Sequence, residues 1–131
     1  QIRLEVLVNI GRACRSEGCN LGELRKRGVT LGQVRSFVKR FSNDLESGMT
    51  SRSVIEQLVK PFCKPRKCSY VEMVAENSQL PQIYVSHIWD SPFLETMSSL
   101  EWYAEARGLS DSTVLFFDLF SRNHHAAASN K

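Results

Sequence analysis

Two short runs of β-branched and aromatic residues constrain this chain more than anything else in it. One is Ile83-Tyr84-Val85-Ser86-His87-Ile88-Trp89, and the other is Thr113-Val114-Leu115-Phe116-Phe117-Asp118-Leu119-Phe120. Each is long enough for a strand and breaks into polar residues at its C-terminal end. The spacing predicts strands over 82–87 and 113–119, with a helix between them. That order is a βαβ unit, in which the crossover helix returns the chain so that the two strands run parallel. Ligands of open α/β sheets bind at the C-terminal edge of the strands. His87, Trp89, Asp118, Asn123 and His124 fall at that edge and are the candidate contacts for a ligand or partner.

Each candidate has a functional reading and a plain one. His87 with Asp118 has the makings of an acid–base pair, or His87 bonds locally at a strand end. Trp89 offers a stacking ring or an interface anchor, and both uses need only its apolar area. Asn123 and His124 orient a polar ligand or simply turn the chain. No residue is assigned a catalytic role.

The remainder reads as helices. Ile2, Val6, Ile10 and Cys14 fit a helical period, although Ile2, Leu4, Val6, Val8 and Ile10 also alternate as a strand would. Asn20 with Glu23, Thr30 with Gln33, and Ser69 with Glu72 are three capping boxes, each opening a helix. The first predicts a short helix over 21–27, closed by Gly28. The second opens a helix with Leu31, Val34, Phe37, Val38 and Phe41 on one face. Thr50 starts another helix, which Pro61 is expected to end. Ser91 is expected to cap the crossover helix, with Pro92 in its first turn and Gly108 at its end. Residues 1–77 thus form a basic helical unit, 78–125 a βαβ unit, and 126–131 a frayed tail.

Charge follows the same division. Residues 1–68 carry 14 Lys and Arg against 6 Asp and Glu, and residues 69–131 carry 3 against 8. Either the first half meets an anionic partner, or the two halves pair with each other. Arg35, Lys39 and Arg40 form the candidate basic docking face. The same region resembles a loose helix-turn-helix around Gly28, which would make nucleic acid the partner. Leu24, Glu23 and Arg27 stand where that motif prefers small or apolar residues.

Four cysteines, Cys14, Cys19, Cys63 and Cys68, form two Cys-x4-Cys pairs. Three readings stand: a zinc set at wide spacing, disulfides in an oxidising compartment, or four reduced thiols. No apolar run reaches the roughly 18 residues that a membrane-spanning helix needs. The chain opens on Gln1 with no visible secretory signal. The expectation is an intracellular protein, in an organelle such as a plastid or mitochondrion if a transit segment has been removed.

Residues 83–125 resemble the opening of TIR-like domains, in particular the heterokaryon-incompatibility type. The residues that carry the resemblance are Tyr84-Val85-Ser86-His87-Ile88-Trp89 and Phe117-Asp118-Leu119-Phe120-Ser121-Arg122-Asn123-His124. A Val-Ser-His-x-Trp signature with a closing Asn-x-His is similar to a module of uncharacterised protist proteins. The stretch from Val59 to Tyr70 resembles its lead-in. The resemblance implies a flavodoxin-like sheet, and in some members NAD cleavage by a glutamate on a later helix. Glu95, Glu101 and Glu105 lie on the first crossover helix, and the place of that glutamate lies beyond Lys131.

The sequence therefore predicts a helix-rich α/β fold: an N-terminal helical unit followed by a partial flavodoxin- or TIR-like βαβ unit. The function it implies is that of a non-catalytic accessory subunit packed against other protein subunits, such as those of a photosynthetic or respiratory complex. Trp89, Phe93, Trp102, Phe116, Phe117 and Phe120 exceed what so short a sheet is expected to bury, and a surplus of this kind marks a partner surface. The alternatives are a fragment of a nucleotide-processing enzyme and a nucleic-acid-binding module. No cofactor is assigned, with zinc and a nucleotide kept as options.

Overall fold

Thr30 and Ser69 do what their spacing predicts. Thr30 Oγ1 accepts from the Gln33 N–H at 3.0 Å, and Gln33 Oε1 accepts from the Thr30 N–H at 3.0 Å. Ser69 and Glu72 exchange the same pair of bonds. These local closures satisfy amide groups that have no partner within the helix. In the computed structural model, which describes residues 24–126, they open α1 (Leu31–Arg40) and α4 (Tyr70–Val74). The expected element over 2–14, the Asn20–Glu23 box, Cys14, Cys19 and the tail from residue 127 lie outside the described residues.

The helix begun by Thr50 does not stop at Pro61. α2 (Ser51–Val54) runs through a π-helical stretch (Ile55–Val59) into α3 (Lys60–Cys63). The Lys60 N–H reaches back five residues to the Ile55 carbonyl. Pro61 then sits in the first turn of α3, where its missing N–H and its ring cost least. In the crossover helix α5 (Phe93–Arg107) Pro92 rather than Ser91 holds the N-cap position without a side-chain bond, and the Phe93 N–H donates instead to the Met49 carbonyl at 2.8 Å. It closes at Gly108, whose φ of 66° is the left-handed turn that glycine adopts without a side-chain clash.

The predicted strand pair is present but shorter. β2 (Ile83–Val85) lies parallel to β3 (Val114–Phe117), with Tyr84 opposite Phe116. β3 ends two residues early, in α6 (Asp118–Ser121). Leu119 and Phe120 are adjacent and both fully buried. A strand sends neighbours to opposite faces, whereas a helical turn brings both into the core. A third strand, β1 (Val29–Thr30), pairs antiparallel with β3, so the sheet has the order β1-β3-β2.

The result is a helix-rich α/β fold with a small mixed sheet. The core takes no account of the expected boundary at residue 77. Phe37 of α1 meets Phe41, Tyr70, Phe93 and Phe120 at ring separations of 4.8, 5.3, 6.0 and 5.0 Å. Phe93, Phe117 and Phe120, counted from the sequence as aromatic surplus, are fully buried in this core. They find cover because α1, α4 and α6 add their own apolar faces to the sheet's. No described helix is long and apolar enough to cross a membrane.

Candidate functional site

The C-terminal ends of β2 and β3 lie side by side because the strands are parallel and in register. Four of the five candidates converge there. The His87 ring packs on Phe117 at 5.1 Å, and Trp89 meets His124 edge-on at 5.8 Å. Asp118, the first residue after β3, is hydrogen-bonded to Arg122 one helical turn on. His124 Nε2 lies 3.0 Å from the Leu119 carbonyl. A carbonyl only accepts, so that nitrogen carries the proton. Asn123 turns away from the cluster and donates through Nδ2 to the Lys67 carbonyl at 2.8 Å.

Two contributors were not singled out in the sequence. Arg52 stacks its guanidinium over Trp89 at 5.5 Å and donates through Nε to Asp90 at 2.9 Å. His125 donates through Nε2 to the Lys60 carbonyl at 2.8 Å, while its backbone N–H donates to Asn123 Oδ1. Arg52 lies far from Trp89 in sequence, so no local pattern links them. Together these bonds fasten residues 118–125 across the strand ends and onto α3. Asp118 and His124 are engaged in internal bonds. His87 Nε2 is shielded from solvent and meets no hydrogen-bond partner among the described residues.

Burial holds the imidazoles of His87 and His124 below the usual histidine range, although the nearby Asp118 charge opposes the shift in both. The unfolded chain therefore binds protons more readily than the folded one just below about pH 6.5. Stability from these two groups is fully present above that pH and is lost as pH falls through it toward the depressed folded values. Urea midpoints measured from pH 7.5 down to 5.5 should fall steadily, and the His87→Phe variant should show a shallower decline. A flat profile in the parent protein would contradict this.

The basic face is largely occupied. Arg35 grips Glu101 with two bonds, of 2.9 and 2.7 Å, and Asp111 with a third of 2.6 Å. These bonds raise its guanidinium further above its ordinary range and hold Glu101 below the usual carboxylate range. Arg40 lies over the rings of Phe41 and Phe62. Lys39 is exposed. At Gly28 there is no tight turn between two helices: β1 separates the 3-10 turn Leu24–Lys26 from α1. This clasp of opposite charges joins the basic and acidic halves of the chain to each other, one of the two readings of the charge asymmetry.

Cys63 and Cys68 are both buried, and no group of three or more metal-ligating side chains occurs among the described residues. One feature of the surface stands out instead. Leu80, Tyr84, Ile88 and Trp102 are 63, 68, 70 and 72% exposed. Tyr84 lies on the outer face of the sheet against Phe116, at 5.4 Å. Trp102 points away from the face of α5 that buries Phe93, Met97, Leu100 and Ala104. The helical period alone places Trp102 opposite that stripe, a signal already present in the sequence. Comparison of the chain with protein-family models, curated proteins and solved structures gives no match.

Proposed function

We propose that this chain is a non-catalytic interaction module, an accessory subunit that docks on other protein subunits of a larger assembly. The observation that carries this reading is the set of four large apolar side chains, Leu80, Tyr84, Ile88 and Trp102, each more than 60% exposed. Single exposed leucines are ordinary on a protein surface. Outward Trp and Tyr side chains, with two further exposed aliphatic ones, have the composition of binding anchors, because aromatics dominate interface energies. The internal bonds that engage Asp118 and His124 support the non-catalytic part of the reading.

The test is the native mass of the protein isolated gently from its source. A second polypeptide in fixed ratio is expected, with its retention lost in Trp102→Ser and Ile88→Ser. Both positions are solvent-facing, so the fold should survive the changes, and an unchanged far-UV spectrum would check this. Loss of a hot-spot aromatic typically costs about 2 kcal/mol or more of binding, roughly thirtyfold in Kd. Protein recovered without any companion polypeptide, or a companion that both variants keep, would overturn the reading.

A further inference from the structure

We infer that the outer edge of β2 pairs antiparallel with β2 of a second copy of this chain, joining two three-stranded sheets into one of six strands. The inference rests on the reading that the chain works by docking, and it names one partner. β2 is an edge strand: β3 lies on one side, and no described strand lies on the other. A parallel ladder uses the N–H and C=O groups of alternate residues, so the remainder point outward along that edge. Natural edges are usually blunted by shortness, a charge, a proline or a bulge. β2 is short, at three residues, but the stretch Gln82-Ile83-Tyr84-Val85-Ser86 carries no charge and no proline.

The space beside the edge has the character of an interface. β2 and α5 line a groove, to which the helix contributes Thr96, Ser99, Leu100 and Tyr103. No charged side chain lines it. An incoming strand with charged residues would lose their hydration there for nothing in return, whereas a neutral strand loses little. The chain carries such a strand itself, in β2.

The pattern of β2 is also its own complement. In an antiparallel pair centred on Tyr84, Gln82 lies across from Ser86 and Ile83 lies across from Val85, while the two Tyr84 residues face each other. Polar meets polar at the ends, and β-branched meets β-branched on the core face. Two aromatic rings meet on the outer face, a favourable cross-strand pairing. The two-fold axis stands perpendicular to the sheet, so both copies of α5 lie on the same side of it. Ser99 is exposed and Thr96 half-buried. Side chains this small let two helices approach closely. Five residues of edge pairing alone fall short of the roughly 1,000 Å² expected of a specific interface. The α5 pair and the two Tyr84 rings add to that area. Trp102 is not among the groove residues, so the dimer leaves it available to a different partner.

Sedimentation equilibrium of the full chain, at concentrations up to about 100 µM, tests this well above the micromolar Kd of a weak specific contact. The expected species has twice the 14.9 kDa chain mass. Tyr84→Lys and Ser99→Arg place like charges across the two-fold at exposed positions. Each should weaken the dimer by about tenfold or more, with the far-UV spectrum unchanged. Trp102→Ser should leave the dimer intact. A monomer throughout the range would overturn the inference, as would a dimer indifferent to both charged variants. A chain that is monomeric alone but bound to another polypeptide in its native assembly would remove the second copy and leave the docking reading standing. A dimer with no other companion would do the reverse.

Discussion

Phe37→Ala is expected to lower the unfolding free energy by about 3–5 kcal/mol, the range for removing a large aromatic side chain from a packed core. Phe37 is fully buried, and its neighbours come from most of the chain. Phe41 follows it closely in sequence, Tyr70 starts α4, Phe93 starts α5 and Phe120 lies in α6. Truncation therefore leaves a cavity whose walls belong to four helical elements. Those walls cannot all move inward, because each is tied elsewhere. α1 is held by the three Arg35 bonds, α4 by the Glu72 ion pair with Arg27 at 4.0 Å and α5 by the Phe93 bond to Met49. The residual void should therefore be large, and the cost near the top of the range. Against a typical total stability of about 5–15 kcal/mol, such a loss leaves the protein marginal. Equilibrium urea unfolding measures it directly. Phe37→Leu is expected to recover more than half of the loss, and a Phe37→Ala midpoint close to the parent value would show that the aromatic cluster is not the centre of the core.

The second large effect is expected at a residue with no side chain. A Cβ added at Gly28 would stand 2.4 Å from Val114 Cγ1 and 2.6 Å from the Gln79 carbonyl oxygen. Both distances are far inside van der Waals contact. The backbone cannot simply retreat, because the Gly28 N–H donates to the Gln79 carbonyl at 2.8 Å and Gln79 Nε2 donates to the Gly28 carbonyl at 2.7 Å. Relief requires moving β1 away from β3 or breaking these bonds. Overpacking of this kind typically costs about 1–3 kcal/mol or more, and Gly28→Ala should show it as a lower Tm. Gly48 supplies the control. Nothing lies within 4 Å of a Cβ built there, so Gly48→Ala should be neutral or slightly stabilising. Equal Tm values for the two variants would sink the argument.

What could be read from the sequence shares one property: it was local. Thr30 and Gln33, like Ser69 and Glu72, are three residues apart, and the chain between them brings them together whatever lies beyond. Gly108 ends α5 for the same reason. The strands were recognisable in type but not in length. Their ends are set by what β3 offers β2 and by the need of Leu119 and Phe120 to be buried together. β1 was missed outright. Two residues carry no period, and its partner Leu115 is far from Val29 along the chain. The π-helical stretch before Pro61 was missed too, since local rules say only that proline should end a helix.

The candidate site divides in the same way. The parallel order of β2 and β3 was readable, and with it the gathering of His87, Trp89, Asp118 and His124 at one edge. Which partners those side chains would take was not. They depend on Arg52 and His125, brought to the site from distant positions, and on the single turn of α6 that pairs Asp118 with Arg122. The basic face shows the same limit. Arg35, Lys39 and Arg40 read alike on a helical wheel, yet Arg35 is consumed by Glu101 and Asp111 and Arg40 by two aromatic rings.

By itself, then, the amino-acid sequence determined that α1, the helix begun by Thr50, α4 and α5 are helical and that β2 and most of β3 are extended, where two of the capping boxes form, and that β2 and β3 are joined by a crossover helix. Hydrogen bonds three or four residues apart and the periods of 3.6 and 2 are properties of the nearby chain alone. Only the tertiary structure decided that one core crosses the middle of the chain, that Asp118 and His124 spend polar atoms on internal bonds, and that no described strand pairs with the outer edge of β2. Each of these depends on which distant side chain reaches a given space first, and burial is settled by that competition rather than by any residue's own preference.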